Sequence, residues 1–258
     1  MEVIIVPAAQ DVATAAARVI SRLVAGKPGA VLGLATGASV ERVYAELVQA
    51  HRKQAPDFSR VTTFNLDEYV GLSHSHPASF HAFMEKHFLS HVKVDRRRVH
   101  FPPTDGDDLA GACERFERDV RAAGGIDLQL LGIGRDGHLG FNEPTSSLAS
   151  RTRIKTLTSA TRETNRSGFG GEEVPLHVVT MGIGTILEAR HCMLVADGAA
   201  KADAVARMVE GPLTAMMPAS ALQMHPHATV IVDEAAAAGL SLRDYYREVQ
   251  RNKPDWQR

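Results

Sequence analysis

Three titratable side chains stand close together near the middle of the chain: Asp136, His138 and Glu143 lie within eight residues. Glycines are interleaved with them and allow the backbone to turn tightly. A histidine flanked by carboxylates exchanges protons near neutral pH, because the carboxylates favour its cationic form. A metal site or a structural turn is the alternative, but glycines crowded around three titratable groups favour a catalytic acid–base loop.

Other polar groups also follow apolar runs. Asp67 and Glu68 come directly after one such run, where an acid serves either as a catalytic base or as surface charge. The small-residue turn 35–39 (ATGAS) leads into a helical pattern, so its backbone N–H groups and hydroxyls can hold a phosphate. It is neither a P-loop nor a GxGxxG motif, and therefore no nucleotide is implied. Lys201 lies near another helix start, where its charge suits a bound anion.

These groups need strands and helices to position them. Short apolar runs predict strands at 3–6, 30–34, 61–65, 128–133, 192–196 and 229–232. Amphipathic stretches predict helices at 11–25, 39–52, 79–88, 109–123, 200–210 and 242–251, with Asp11 and Ser39 as N-caps of the first two. The alternation predicts a single α/β domain over 1–258, with a doubly wound, mostly parallel sheet and helices on both faces.

Composition restricts the function classes. Of the 258 residues, 44% are hydrophobic and 23% charged, which is typical of a globular protein and excludes disorder. The net charge of −1 argues against nucleic-acid binding. We expect no membrane span, because no apolar run approaches about 20 residues. We expect no signal peptide either, because the N-terminal residues have neither a basic region nor a long enough apolar stretch. Two cysteines are expected to be buried, reduced thiols of a cytoplasmic protein.

The histidines raise the question of a metal site. Five of them lie between positions 74 and 91, and His87 and His91 have i,i+4 spacing. The residues between these two lack the glutamate of an HExxH motif, and no cysteine pair is near. We therefore predict no metal site at these histidines.

Four long motifs resemble those of the glucosamine-6-phosphate deaminase family. They are 64–72 (FNLDEYVGL), 134–144 (GRDGHLGFNEP), 146–158 (SSLASRTRIKTLT) and 218–226 (PASALQMHP). The resemblance spans nearly the whole chain. It implies an aldose–ketose isomerase and deaminase that converts glucosamine 6-phosphate and water into fructose 6-phosphate and ammonia, without metal or cofactor. The resemblance also implies a role for each motif residue: Asp67 matches the base that moves the C2 proton, and His138 matches the residue that opens the sugar ring, assisted by Asp136 and Glu143.

The resemblance assigns substrate phosphate to Thr36, Gly37, Ala38, Ser39 and Lys201, with a mobile lid around 158–185. Two departures from the family matter. Ala38 and Ser39 replace a glycine and a threonine, and alanine does not adopt positive φ easily. The lid arginine is displaced by one residue, which makes Arg166 the best substitute.

A regulatory site is also implied. In allosteric members of the family, N-acetylglucosamine 6-phosphate binds between subunits, and the matching residues are Ser146, Arg153, Lys155, Thr156 and Tyr245. Arg153 and Lys155 are two residues apart on an extended segment and therefore project to one face. The alternative is a solvated basic strand. The resemblance further implies a homo-oligomer, by analogy a hexamer.

Three other functions stay open. A 6-phosphogluconolactonase shares the Asp-Gly-His loop, but residues 141–144 (FNEP) and 67–69 (DEY) favour the deaminase. A galactosamine-6-phosphate deaminase or isomerase is poorly separated by sequence. A sugar-phosphate sensor is the non-enzyme alternative; such regulators carry a helix-turn-helix domain, for which we expect no room before the first strand.

Overall fold

The computed structural model describes residues 1–53 and 55–254. Its large sheet has seven parallel strands in the order β1-β10-β9-β6-β2-β3-β5. The strands are β1 (Glu2–Val6), β2 (Val31–Leu34), β3 (Thr62–Asn65), β5 (Val99–His100), β6 (Leu128–Leu131), β9 (Cys192–Ala196) and β10 (Ala228–Asp233). The four residues of β2 and all of β9 and β10 are buried, as expected of central parallel strands. The predicted parallel α/β architecture is confirmed.

An α-helix follows most of the strands. The helices are α1 (Ala9–Gly26), α2 (Ala38–Arg52), α3 (Phe80–Met84), α4 (Leu109–Ala122), α5 (Ser159–Asn165), α6 (Ile183–Leu187), α7 (Ala202–Val209) and α8 (Arg243–Arg251). Right-handed crossovers place α1 and α2 on one face of the sheet and α4 and α7 on the other, because these pairs connect strands in opposite directions. The order of the strands reverses between β2 and β6, and ligands of such sheets bind at this switch point, beyond the carboxyl ends.

The two predicted N-caps are wrong. α1 begins at Ala9, and Asp11 lies in its first turn, where its carboxylate accepts a hydrogen bond from the Ala8 N–H at 3.1 Å. α2 has Gly37 as its N-cap, with φ 130°, so Ser39 is already inside the helix. The positive φ falls on the glycine, and Ala38 therefore needs none.

A second, antiparallel sheet was not predicted from the sequence. It contains β4 (Asp67–Tyr69), β7 (Arg153–Thr156) and β8 (His177–Thr180), in the order β4-β8-β7. Only Leu66 separates β3 from β4, so the chain passes from the large sheet into the small one immediately before Asp67. Tyr69 and Val178 of this sheet form a separate apolar cluster with Phe141 and Phe169, which lie outside the sheet.

The expected lid is therefore shorter than 158–185. Residues 177–180 form β8, in which Val178, Val179 and Thr180 are fully buried. Residues 158–176 belong to the segment of the chain that connects β7 to β8, and they contain α5 followed by a 3-10 turn over Arg166–Phe169. The lid stays a prediction for these residues only.

Candidate functional site

Asp67 stands at the junction of the two sheets. The residue is 6% exposed, and residues 1–53 and 55–254 donate no hydrogen bond to its carboxylate. Burial raises the pKa of Asp67 to about 8, and the charge of Glu68 contributes in the same direction. A carboxylate that is shielded from water and accepts no hydrogen bond is a stronger base than a carboxylate in water. Removing a proton from carbon requires such a base.

Glu68, the next residue, is built differently. Its two oxygens accept the backbone N–H groups of Tyr69 (2.8 Å), Phe80 (3.1 Å) and His81 (2.8 Å). The last two belong to the first turn of α3, so Glu68 stabilises the start of that helix. The two adjacent acids are therefore both buried but differ in their partners: Glu68 accepts backbone N–H groups, and Asp67 does not.

The loop after β6 carries a histidine–carboxylate pair. A turn closed by the Gly137 N–H and the Gly134 carbonyl (3.1 Å) places Asp136 Oδ1 2.6 Å from His138 Nδ1. The hydrogen bond from His138 lowers the pKa of Asp136 to about 2. The imidazole folds back onto Gly134, where a Cβ would lie 2.2 Å from the ring. Because Asp136 occupies Nδ1, Nε2 of the half-exposed ring is the nitrogen that can meet a substrate.

Gly140 brings this loop over Asp67. Its φ is 56°, and a Cβ there would lie 3.2 Å from Asp67 Oδ2 and 2.8 Å from Thr180 Oγ1. The buried Asn142 then fixes the loop, since its amide donates to the carbonyls of Leu139 (2.9 Å) and Met181 (2.7 Å). The structure therefore brings Asp67 and the Asp136–His138 loop together at one edge of the large sheet.

Glu143 has a partner other than the expected one. Its recorded hydrogen bond is with the Thr161 hydroxyl of α5, and no contact between Glu143 and His138 is recorded. The sequence placed Glu143 beside His138 because they are only five residues apart, but the turn at Gly140 directs the chain toward the lid segment. Of the two acids expected to assist His138, only Asp136 contacts it.

The turn 36–39 lies across the switch point from this loop. Gly37 and Ala38 are exposed, Thr36 and Ser39 are half-buried, and the N-terminus of the 15-residue helix α2 follows. The first backbone N–H groups of an α-helix have no partner within the helix and favour an anion. The arrangement is suited to an anion such as a phosphate group.

Lys201 lies at the same edge. Its Nζ donates to the Ile133 carbonyl at 2.7 Å, and burial together with the charge of Arg135 lowers its pKa. Two arginines that sequence reasoning missed lie nearby: Arg135 is exposed at the corner of the Gly134–Gly137 turn, and Arg42 pairs with Asp197 at 2.9 Å. The spacing of Arg42, one helical turn beyond Ser39, was the signal that could have identified it.

The lid arginine is not placed at this edge. Arg166 is exposed and lies 3.3 Å from Glu163 on its own segment, and among the described residues no contact joins it to Lys201 or the 36–39 turn. Arg162, one turn earlier, is half-buried with its Nε unpaired. Sequence reasoning overlooked Arg162 because it considered only the displaced family position.

The predicted regulatory residues are divided between two regions. Arg153 and Lys155 share one face of β7, as predicted, while Ser146 is buried with its hydroxyl unpaired, and Thr156 is exposed. The Arg153 guanidinium is already bound to Asn142 Oδ1 at 2.9 Å. Tyr245 is 59% exposed on α8, which packs on β1 at the far edge of the large sheet. One chain therefore does not bring Tyr245 to the other four.

The histidines 74–91 lie mostly around a surface groove that also contains Lys86. Within residues 1–53 and 55–254, no three His, Cys, Asp or Glu side chains are arranged to hold a metal ion. In the same part of the chain, no helix is long and apolar enough to cross a membrane.

Comparison with known proteins agrees with this geometry. The chain is 53% identical over 258 residues to a glucosamine-6-phosphate deaminase of Arthrobacter sp. (strain FB24), covering 100% of this chain and 99% of that protein. It is 52% identical over 259 residues to a glucosamine-6-phosphate deaminase of Streptomyces avermitilis, with the same coverage.

Solved structures show the same relationship. A monomeric glucosamine-6-phosphate deaminase is 41% identical, with a TM-score of 0.89, and the match covers 93% of this chain and 100% of that one. A 6-phosphogluconolactonase from Trypanosoma cruzi shares the fold at 16% identity, with a TM-score of 0.74 and coverage of 93% and 97%. The family model of glucosamine-6-phosphate isomerases/6-phosphogluconolactonase matches residues 7–231. The resemblance found in the motifs is confirmed: the chain belongs to the glucosamine-6-phosphate isomerase/6-phosphogluconolactonase family.

Proposed function

We propose that the protein converts glucosamine 6-phosphate and water into fructose 6-phosphate and ammonia. The observation that carries this proposal is the unpaired, buried carboxylate of Asp67 beneath the loop that bears the Asp136–His138 pair. Full-length relatives at about 50% identity that are named glucosamine-6-phosphate deaminase support it. An isolated phosphate-binding turn would be compatible with many enzymes, whereas a base and a proton-exchanging histidine at one edge fit an aldose–ketose isomerisation.

Ring opening is the task of His138. Its Nε2 takes the proton of the sugar C1 hydroxyl and returns a proton to the ring oxygen, so that the C1–O5 bond breaks and the aldehyde forms. Asp136 stabilises the imidazolium that exists between the two transfers, and it fixes the tautomer by accepting from Nδ1.

Enolisation is the task of Asp67. Its carboxylate removes the C2 proton of the open-chain sugar, and the ammonium group of the substrate passes a proton to the C1 aldehyde oxygen, which gives an enolamine. Asp67 then returns its proton to C1, which leaves a protonated imine at C2 and a hydroxymethyl group at C1. Water adds to the imine carbon, and the C–N bond breaks to release ammonia and leave the ketone. The raised pKa of Asp67 suits this step because it makes the carboxylate a stronger base.

The phosphate of the substrate is held at the other side of the switch point. We assign it to Thr36, Gly37, Ala38, Ser39 and Lys201, with Arg166 assisting when residues 158–176 close over the sugar. Charge-assisted hydrogen bonds from an ammonium group and from helix N–H groups are suited to a dianion.

The test is ammonia release from glucosamine 6-phosphate by the purified protein, before and after extensive treatment with a chelator. Galactosamine 6-phosphate and 6-phosphogluconolactone are the comparison substrates. Preferred turnover of glucosamine 6-phosphate, unchanged by the chelator, is expected. Faster turnover of galactosamine 6-phosphate would reassign the substrate, acid production from the lactone without ammonia would indicate a lactonase, and binding without turnover would indicate a sensor.

We further propose a cytoplasmic location, which the two buried, unbridged thiols Cys113 and Cys192 support. Regulation by N-acetylglucosamine 6-phosphate requires Tyr245 of one subunit to approach Arg153 and Lys155 of another. A homo-oligomer, by analogy a hexamer, would permit this, although the solved relative at 41% identity is described as monomeric. Sedimentation with and without N-acetylglucosamine 6-phosphate measures the subunit number directly.

A further inference from the structure

The lid segment holds one of the catalytic-loop acids through a threonine. Thr161 Oγ1 on α5 donates to Glu143 Oε1. Thr161 Oγ1 also lies 2.9 Å from the hydroxyl oxygen of Thr158, which is the N-cap of α5. Because the Thr161 proton points to the carboxylate, Thr158 is the donor in the second bond. A row of two hydroxyls therefore ends on Glu143.

The same segment also contacts the strand that carries Asp67. Phe169 packs edge-on against the Tyr69 ring, with the ring centroids 5.2 Å apart. Tyr69 is two residues from Asp67 on β4. Residues 158–169 thus rest on the histidine loop at one end and on the β4 strand at the other.

We infer that Thr161 is a positioning residue that sets the orientation of Glu143 for the reaction. The inference rests on the proposed function, since Glu143 is a catalytic residue only within it. A carboxylate on a glycine-rich loop can rotate freely, and the lid hydroxyl selects one orientation of it. Because Thr161 belongs to the lid segment, the Glu143 carboxylate takes its fixed orientation only when the lid segment lies over the sugar.

Three variants test the role of Thr161. Thr161→Val has nearly the same shape but cannot donate, and Thr161→Ser retains the donor. Thr164→Val is the matched control, because Thr164 lies on the same helix and its exposed hydroxyl donates only to the Ala160 carbonyl at 3.0 Å. Loss of a hydrogen bond to a charged group should lower kcat of Thr161→Val about 10- to 100-fold with little change in KM. Thr161→Ser should recover most of the rate, and Thr164→Val should match the parent.

Several results would overturn the assignment: kcat of Thr161→Val within twofold of the parent, an equal loss in Thr161→Ser, or an equal loss in Thr164→Val. A parent protein that releases no ammonia would instead refute the proposed function. Amide hydrogen exchange over residues 158–169 measures the contact without turnover. Exchange there should be faster in Thr161→Val than in the parent or in Thr164→Val, and unchanged exchange would show that Thr161 does not hold the lid segment on Glu143.

Discussion

Replacing Asp67 with asparagine should make the protein more stable while nearly abolishing its activity. The carboxylate is buried without a recorded partner, and its pKa is raised from 3.8 to about 8. In the unfolded chain the same group ionises near its ordinary pKa. The folded state therefore binds a proton that the unfolded state has lost, and between pH 4 and pH 8 the stability of the parent falls as pH rises.

The magnitude follows from this difference. A tenfold change in a protonation equilibrium corresponds to about 1.4 kcal/mol, so Asp67 opposes folding by about 4 kcal/mol at pH 7. Asparagine removes this cost but buries an amide of its own. The net gain in the free energy of unfolding should be about 2–4 kcal/mol, or roughly 10 °C in Tm for a chain of this size. Deamination should fall about 10²–10⁴-fold, because the base for C2 is gone.

Denaturant unfolding of both proteins at several pH values between 4 and 8 measures the effect. The gain should be near zero at pH 4 and should grow steadily up to pH 8. Asp136→Asn is the control of opposite sign: the bond to His138 lowers the pKa of Asp136 to about 2, so removing that carboxylate should destabilise the folded protein. A gain that does not vary with pH, or an Asp67→Asn variant less stable than the parent, would refute the reasoning.

Other substitutions test the remaining parts of the site. Lys201→Ala should raise KM for glucosamine 6-phosphate about 10- to 100-fold, and an unchanged KM would remove Lys201 from the phosphate site. His138→Gln should severely slow the cyclic sugar but spare an open-chain analogue; equal losses on both would contradict a role confined to ring opening. Gly140→Ala should reduce both Tm and kcat, because its Cβ would lie 2.8 Å from a threonine hydroxyl at a φ of 56°, whereas Gly168→Ala meets no atom within 4 Å and should be close to neutral in both assays. Sigmoidal kinetics that become hyperbolic with N-acetylglucosamine 6-phosphate should be lost in Arg153→Ala, and hyperbolic kinetics that ignore this ligand would exclude regulation through β7.

The sequence by itself determined six of the seven strands described in the large parallel sheet, most of the helices and the family of the protein; the two-residue edge strand β5 was missed. Buried parallel strands are continuous apolar runs, and their helices are long enough to show an apolar stripe, so both leave a local pattern. The residues after each strand were identifiable for the same reason: the carboxyl ends of parallel strands meet at one edge, which is where Asp67, Asp136 and Lys201 lie.

Only the tertiary structure decided how these residues are used. The small antiparallel sheet is built from strands of three or four residues that are distant in the sequence, and such segments have too little periodicity to be recognised. Hydrogen bonding distinguished Glu68 from Asp67, because two of the three backbone N–H groups that Glu68 accepts come from a helix that begins twelve residues away. Because of the turn at Gly140, Glu143 is hydrogen-bonded to Thr161 and not to His138. Contacts between segments that are far apart in sequence depend on how whole elements pack, and a local pattern of residue types does not contain that information.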